Sequence, residues 1–364
     1  MQDKVTFQGS TYLSLPYDSE SRRSRWNPRS WGLKTKLAVA IAAIIILVVI
    51  IIGAVLGTRA NRYPNYSQLR YTIKDTYSGT GFFTNFDYFT GYDPTSGFVH
   101  YCDSSYSAEL NLTYATSSTA VLRVDTSETA ATTGRKSARI TSKNQYNDGL
   151  FIFDITHSPY GCGTWPAIWL SDTSNWPYHG EIDVIEAVNQ ATTGNQMTLH
   201  TSDGCSMNVK RKETGSVLTT NCYNGTDNNA GCGVQGPAAS NGPVFNSNGG
   251  GVYAMEFRDA GIRTWFFPRS SIPSDIMEGS SPDPSSWGIA LADFPGTDCN
   301  IASHFTNQSI IVDIDLCGSW AGATSVYTHM DACPGTCSDY VANNAAAFEQ
   351  AYWSFNYFKV FSAS

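Results

Sequence analysis

The chain has 364 residues, of which 41% are hydrophobic and 13% aromatic, and its formal net charge is -8. Only 15% of the residues are charged and no basic patch lies outside the N-terminal tail, so the composition argues against a nucleic-acid partner. Twenty Tyr, 18 Phe and 9 Trp are many for so few charges, and they suit an aromatic-lined groove.

The first 65 residues predict a tail, a membrane span and a stalk. Residues 1–36 are polar with little periodicity and are predicted to be a disordered cytosolic tail. Residues 37–57 are an uncharged apolar run of 21 residues, which as a helix spans about 31 Å, enough to cross a bilayer. A cleaved signal peptide is the alternative, but its apolar core would be shorter and would seldom follow such a long polar segment. We therefore predict an uncleaved signal anchor, followed by a short stalk over 58–65.

The charges on the two sides of the apolar run predict its orientation. Only Arg59 and Arg62 lie within about ten residues after it. Seven basic residues precede it: Lys4, Arg22, Arg23, Arg25, Arg29, Lys34 and Lys36. The positive-inside rule then keeps the N-terminus in the cytosol. The sequence predicts a single-pass type II membrane protein whose large C-terminal part faces the lumen or the exterior.

The cysteines agree with an oxidising compartment, because all nine follow the predicted span: Cys102, Cys162, Cys205, Cys222, Cys232, Cys299, Cys317, Cys333 and Cys337. Four glycosylation sequons, at Asn65, Asn111, Asn224 and Asn307, lie on the same side. Nine is odd, so at least one thiol is free or pairs between chains. Cys333 and Cys337 are close enough for a local bridge, and the other pairings stay open. A zinc site is the alternative, but paired Cys-x-x-Cys motifs and a His cluster are lacking.

From residue 66 to residue 364 the pattern is mostly that of strands. Apolar residues alternate over 310–316, with Asp313 and Asp315 on the opposite face. Alternation before and after Asp259-Ala260-Gly261 predicts a hairpin, and residues 353–357 predict a further strand. Only residues 343–352 look helical. Many strands with few helices predict one all-β domain, a β-sandwich.

The most informative segment is Gly180-Glu181-Ile182-Asp183-Val184-Ile185-Glu186. Its Ile and Val residues favour a half-buried strand. Because side chains alternate on a strand, Glu181 and Asp183 share one face while Glu186 would point to the other. A β-bulge at Val184 or Ile185 would return Glu186 to the face of the other acids. Retaining glycoside hydrolysis uses two carboxylates about 5 Å apart, one as nucleophile and one as acid and then base.

An acidic alternating strand can also be a solvated sheet face, so its surroundings matter. Aromatic rings stack on sugar rings, and three tryptophans lie shortly before the acids. Because most tryptophans are core residues, Trp165 is assigned to the core, whereas Trp169 and Trp176 are candidates for a cleft. His200 has two interpretations, a histidine satisfied inside the sandwich or one on a strand beside the acids.

Three stretches resemble glycoside hydrolase family 16, most closely its fungal endo-1,3(4)-β-glucanase (laminarinase-type) branch: Gly163–Leu170, Glu181–Glu186 and Met197–Thr201. Further likeness lies in residues 93–99, 265–269, 303–305, 307–310 and 317–320. The acidic motif with its flanking Trp-Pro-Ala and His is specific, and the other segments are supportive. The resemblance covers about residues 66–361.

The resemblance implies a concanavalin A-like jelly-roll β-sandwich that hydrolyses internal β-1,3 or mixed β-1,3/1,4 glucan linkages with retention. It implies Glu181 as nucleophile, Glu186 as acid/base and Asp183 as a residue that tunes the nucleophile. Other candidates for contact with substrate are Trp169, Trp176, Trp320 and His200. The mechanism needs no metal or cofactor.

The expected partners are a β-glucan and a membrane crossed once, and we expect a monomer. A cell-wall transglycosylase on the same scaffold is the first alternative, because it needs the same carboxylates. A glucan-binding lectin that has lost catalysis is the second, and the presence of all three acids argues against it.

Overall fold

A computed structural model describes residues 28–60, 62–279 and 281–363, apart from the side chains of residues 56 and 58–60. Most of the predicted cytosolic tail, residues 1–27, lies outside the described part of the chain. The chain divides into two compact units, Met1–Gly57 and Thr58–Ser364.

The first unit contains an apolar helix. A 3-10 turn, Pro28–Ser30, precedes α1, Leu33–Ala60. Within α1, the 23 residues Leu33–Val55 contain an 18-residue window whose mean hydropathy is 3.4 and of which no residue is buried, so by length and composition the helix can cross a membrane. The apolar N-terminal helix expected from the sequence is present. The boundaries of tail, anchor and stalk stay predictions.

The second unit is mainly β-structure. Strands β1 to β18 are Tyr71–Ser78, Phe86–Tyr88, Val99–Tyr101, Thr113–Ala115, Ala120–Arg123, Arg135–Ser137, Arg139–Tyr146, Gly149–His157, Thr164–Ser171, Glu181–Glu186, Gln196–His200, Ser216–Val217, Cys232–Gln235, Gly251–Arg258, Gly261–Pro268, Ala292–Pro295, Gln308–Leu316 and Tyr352–Ala363. Helices α2 to α7 are Ser104–Glu109, Gly242–Ser247, Ser274–Glu278, Ile301–His304, Gly318–Ala321 and Cys337–Asn343.

Most strands belong to two eight-stranded sheets. The first has the order β16-β15-β14-β8-β18-β5-β4, with β1 also paired to β18. The second has the order β12-β13-β11-β10-β9-β17-β7-β2, and β3 and β6 form a separate pair. Together they make the predicted jelly-roll sandwich, and the acidic strand β10 lies inside the second sheet between β9 and β11.

The core fills the space between the sheets because alternate residues of each strand point inward. On β17 the inward residues are Ile310, Val312, Ile314 and Leu316, as the sequence predicted. The predicted hairpin is formed by β14 and β15, with Arg258 opposite Gly261. The strand over 353–357 is part of β18.

The prediction of one helix over 343–352 is wrong. Helix α7 ends at Asn343, a 3-10 turn covers Ala345–Phe348, and β18 begins at Tyr352. Tyr352 and Trp353 pair with β5, so sheet formation overrides the local helical pattern at this point. Helices α2 to α6 have four to six residues, too few to show a helical period in the sequence.

Eight cysteines form four disulfides: Cys162–Cys333, Cys205–Cys299, Cys222–Cys232 and Cys317–Cys337. The ninth, Cys102, is free and buried, and burial raises the pKa of its thiol to about 11. A local Cys333–Cys337 bridge is therefore wrong. Instead, Cys333 pairs with Cys162, shortly before β9, and Cys337 pairs with Cys317, directly after β17.

Candidate active site

The bulge predicted in the acidic strand is present at Val184. Asp183 lies opposite Trp169 of β9, but the next pair joins Ile185 to Ile168, which leaves Val184 as the extra residue. Glu186 then pairs with Ala167, which is on the same face of β9 as Trp169. The three acids therefore share the face of the sheet that is turned away from the core.

Asn195 holds the bulge in place. Its amide Nδ2 donates to the carbonyl oxygen of Val184 at 2.8 Å, and its Oδ1 accepts from the backbone N–H of Glu186 at 2.7 Å. Both backbone groups lie where the pairing of β10 with β11 shifts register, between Asp183 and Glu186. Asn195 is fully buried, so it replaces ladder hydrogen bonds that water does not reach.

Crowding of the acids favours their protonated forms. Burial and then the charge of Asp183 raise the pKa of Glu181 to about 7, while His200 and Arg139 oppose the rise. Burial and Asp183 also raise the pKa of Glu186 well above its ordinary value, against a hydrogen bond from Trp165. Two carboxyl groups with raised pKa values on one face can supply both an acid and a nucleophile near neutral pH.

His200 satisfies both of its sequence interpretations, since it is buried and also lies beside the acids. On β11 it stands opposite Glu181, with Nε2 3.4 Å from Oδ2 of Asp183. Its Nδ1 lies 3.0 Å from Oδ1 of Asn229. Burial alone would lower the pKa of His200, but Asp183 and the neighbouring glutamates raise it to about 10. The ring is a cation at neutral pH.

Glu181, Asp183 and His200 also have the spacing of metal ligands, with one polar atom of each within 4.8 Å of the others. Both ring nitrogens of His200 face oxygen acceptors, however, on Asp183 and on Asn229. An imidazolium that carries a proton on both nitrogens has no lone pair for a metal ion. The donor chemistry fits an ion-pair network better than a metal centre.

Trp165 is not a core residue, contrary to the sequence interpretation. It is half-buried, and its Nε1 donates a 2.7 Å hydrogen bond to Oε1 of Glu186. The ring of Trp320 packs edge-on against it, with centroids 5.7 Å apart. Trp165 lies four residues before Trp169 on one strand, so strand alternation already places both on the same face. The general preference of Trp for the core obscured this signal.

The other two predicted tryptophans also lie near the acids. Trp176 is 36% exposed, and its side chain lowers the pKa of Glu181 through a hydrogen bond. Trp169 is half-buried, and its Nε1 donates to Oδ2 of Asp313 at 3.1 Å. Burial raises the pKa of Asp313 to about 7, although Arg139 and Trp169 oppose the rise.

Arg139 is a residue of this face that sequence reasoning missed. Its guanidinium lies 4.9 Å from the ring centre of Phe89 and 4.9 Å from that of Trp169. It also lies 3.9 Å from Asp313 and lowers the pKa of Glu181. Arg139 is far from the acidic motif in the chain, and only the order of strands β7, β17, β9 and β10 brings it near.

Comparison with known proteins gives the same class. A family model described as "XgeA-like, catalytic GH16 domain" matches residues 86–361. A probable glycosidase of Schizosaccharomyces pombe is 48% identical, with the alignment covering 81% of this chain and 70% of that protein. An endo-1,3(4)-β-glucanase of Arthroderma benhamiae is 42% identical, with 80% of this chain and 65% of that protein covered.

Two solved structures are similar over 80% of this chain and 100% of their own chains. One is family 16 laminarinase 16A from Phanerochaete chrysosporium with 6-O-glucosyl-laminaritriose in its donor and acceptor sites, at 44% identity and a TM-score of 0.78. The other is an elongating family 16 β-1,3-glucosyltransferase, at 42% identity and a TM-score of 0.75.

Fold and site together define a glycoside hydrolase. The family model that matches residues 86–361 and the sequence identities to the relatives show which family it is. The chain belongs to glycoside hydrolase family 16. The part of this chain that aligns with its curated relatives spans 40% to 70% of the length of those proteins.

Proposed function

We propose that the protein is a membrane-anchored retaining endo-β-glucanase that cuts internal β-1,3 or mixed β-1,3/1,4 linkages. The observation that carries the proposal is the bulge at Val184, which puts Glu181, Asp183 and Glu186 on one face beside four tryptophans. The names of the relatives support the substrate class, since one is an endo-1,3(4)-β-glucanase and another a laminarinase.

In the proposed reaction, ionised Glu181 attacks the anomeric carbon while Glu186 gives its proton to the leaving glycosidic oxygen. A covalent glycosyl-enzyme results. Glu186, now ionised, takes a proton from water, which displaces Glu181 from the sugar and restores both groups. Asp183 and its partner His200 tune the charge around the nucleophile. Trp169, Trp176 and Trp320 are proposed to line sugar subsites.

The decisive experiment is digestion of laminarin, lichenan and a β-1,6-glucan by the full chain in detergent, with all products identified. We expect internal cleavage of laminarin and lichenan, and a first product with the anomeric configuration of the substrate by proton NMR. Cleavage of the β-1,6-glucan alone would contradict the substrate class, and an inverted product would contradict the mechanism. Glucan binding without release of reducing ends would favour the lectin alternative.

A β-glucan transglycosylase is the second candidate, and similarity to an elongating β-1,3-glucosyltransferase favours it. Both reactions pass through the same glycosyl-enzyme and differ in whether water or a sugar hydroxyl takes the glycosyl group. Incubation with laminarin and a labelled laminari-oligosaccharide separates them. Labelled products longer than the acceptor indicate transfer, whereas unlabelled shorter products indicate hydrolysis.

The proposed topology is type II, with the catalytic unit in the lumen or outside the cell. The apolar helix and the four disulfides support membrane anchoring in the secretory pathway. Among the sequons, Asn65, Asn111 and Asn307 are exposed and Asn224 is half-buried. We expect endoglycosidase treatment of the full chain to lower its apparent mass, and protease added to sealed vesicles to remove only the N-terminal tail. A protected tail would reverse the orientation. Oligomeric state stays a prediction.

A further inference from the structure

A disulfide-closed loop lies directly beside His200. Cys222 and Cys232, ten residues apart, are bonded and fully buried. Thr201, the residue after His200, forms two backbone hydrogen bonds with the loop. Its N–H donates to the carbonyl oxygen of Cys222 at 2.8 Å, and the carbonyl oxygen of Thr201 accepts from the N–H of Asn224 at 2.9 Å. The loop is therefore held against the end of β11, where His200 lies.

The path of the loop is specific and conformationally costly. Asp227, Asn228 and Asn229 all have left-handed backbone, with φ of 50°, 54° and 61°. Such values are uncommon outside glycine, although Asn and Asp tolerate them best. Gly231 passes so close that a Cβ there would lie 2.8 Å from Cε1 of His200. This path brings the side chain of Asn229 to the imidazole.

The contact with Asn229 favours a proton on Nδ1 of the His200 ring. The groups that act most strongly on His200 are Asp183, Glu181 and Glu186, all from β10, and the loop adds the uncharged Oδ1 of Asn229 at 3.0 Å. Oδ2 of Asp183 is buried and accepts no hydrogen bond within the described residues, so the imidazolium at 3.4 Å is its compensation. An oxygen atom beside each ring nitrogen favours the form of His200 in which both nitrogens carry a proton.

We propose that Asn229 is a positioning residue of the active site, which stabilises the doubly protonated form of His200 and holds the ring aimed at Asp183. Asn229 touches no reacting atom and acts only through His200. The fixed positive charge offsets the carboxylates of β10 and keeps Glu181 ionised at lower pH than it would otherwise be. The catalytic consequence rests on the proposed function, whereas the effect on His200 does not.

The test uses glycine variants in the full chain in detergent. Asn229→Gly removes the acceptor and suits the left-handed backbone, so the fold is preserved. Asn228→Gly is the matched control, because it makes the same backbone change at a side chain that forms no hydrogen bond with His200 within the described part of the chain. Melting temperatures check that both variants are folded.

The first readout is the pKa of His200 by NMR of ring-labelled histidine, assigned with His200→Gln. Loss of a charge-assisted hydrogen bond predicts a pKa lower by about one pH unit in Asn229→Gly. We expect no change in Asn228→Gly. In Asn229→Asp, which retains an acceptor, we expect a pKa equal to or above that of the wild type. A wild-type pKa in folded Asn229→Gly, or a low pKa in Asn229→Asp, overturns the proposal.

The second readout is the pH profile of laminarin hydrolysis. When the His200 ring is held less firmly, its positive charge lowers the pKa of Glu181 less. The acid limb of kcat/KM therefore moves to higher pH in Asn229→Gly, and kcat falls more than KM changes. An unmoved limb overturns the catalytic consequence. If the wild type cleaves no glucan while the pKa of His200 still falls in Asn229→Gly, the proposed function fails and the role of Asn229 stands.

Discussion

The indole N–H of Trp165 donates a 2.7 Å hydrogen bond to Oε1 of Glu186. This bond favours the ionised carboxylate, while burial and the charge of Asp183 favour the protonated acid. Glu186 is proposed to act as an acid in the first step and as a base in the second, so it must exist in both forms. The hydrogen bond from Trp165 limits the rise in the pKa of Glu186 and so helps the ionised form to be populated.

Replacement of Trp165 by Phe is expected to raise the pKa of Glu186, because the carboxylate loses a donor. Glu186 then stays protonated to higher pH, and the alkaline limb of kcat/KM moves upward. At a given pH less of Glu186 is in the ionised form that the second step needs, and kcat should fall about tenfold, as loss of one hydrogen bond to a charged group predicts. Trp320→Phe leaves the bond intact and serves as the control. An alkaline limb that stays in place in Trp165→Phe would rule out this account.

The two glutamates should respond differently to substitution by Gln. Glu181→Gln removes the nucleophile, so turnover should fall by several orders of magnitude on every substrate. Glu186→Gln removes the proton donor, so a β-glucoside with a good phenolate leaving group should still form the glycosyl-enzyme in a burst. Circular dichroism confirms that both variants are folded. A burst in Glu181→Gln and none in Glu186→Gln would reverse the assigned roles.

Asp183→Asn should shift the acid limb of the pH profile to lower pH. The charge of Asp183 raises the pKa of Glu181, and it does so more strongly than His200 lowers it. With a neutral side chain at this position, Glu181 ionises at lower pH and reaches its nucleophilic form earlier on the pH scale. The measurement is kcat/KM on laminarin as a function of pH. A shift to higher pH would show that Asp183 acts mainly through His200.

Asn195→Ala should destabilise the fold and reduce activity together. The change leaves the buried carbonyl of Val184 and the N–H of Glu186 without partners, at a cost of about 2–4 kcal/mol in the free energy of unfolding. Chemical denaturation measures this loss. Thr192→Ala, at an exposed position of the same connection, should change the free energy by less than about 0.5 kcal/mol. Equal stability of the two variants would contradict the role given to Asn195.

Peptide mapping without reduction should find four disulfides and one thiol. Cys102 is buried, so it should react with an alkylating agent only after denaturation. Loss of the Cys162–Cys333 bridge, whose ends are 171 residues apart, should lower the free energy of unfolding by about 2–5 kcal/mol. Cys102→Ala should leave all four bridges in place. A mapped Cys333–Cys337 peptide would contradict the pairing.

The apolar span, the all-β class and the acidic strand with its bulge could all be predicted from the sequence. Each depends on local pattern: an uninterrupted apolar run, alternation of side chains, and the spacing of Glu181, Asp183 and Glu186. Backbone geometry relates neighbouring residues directly, so these patterns carry over into structure without knowledge of the rest of the fold. The face of the sheet on which Trp165 lies could have been predicted in the same way, because Trp165 and Trp169 are four residues apart on one strand.

The distant residues that meet at the acids could not be predicted in this way, because the order of the strands brings them together. Arg139 and Asp313 reach the site because β17 lies next to β9 and β7 lies next to β17. Asn229 reaches His200 because a disulfide holds its loop against β11. The pairing of Cys333 with Cys162 has the same origin. Such contacts depend on strand order and on the packing of two sheets, and local alternation carries no information about either.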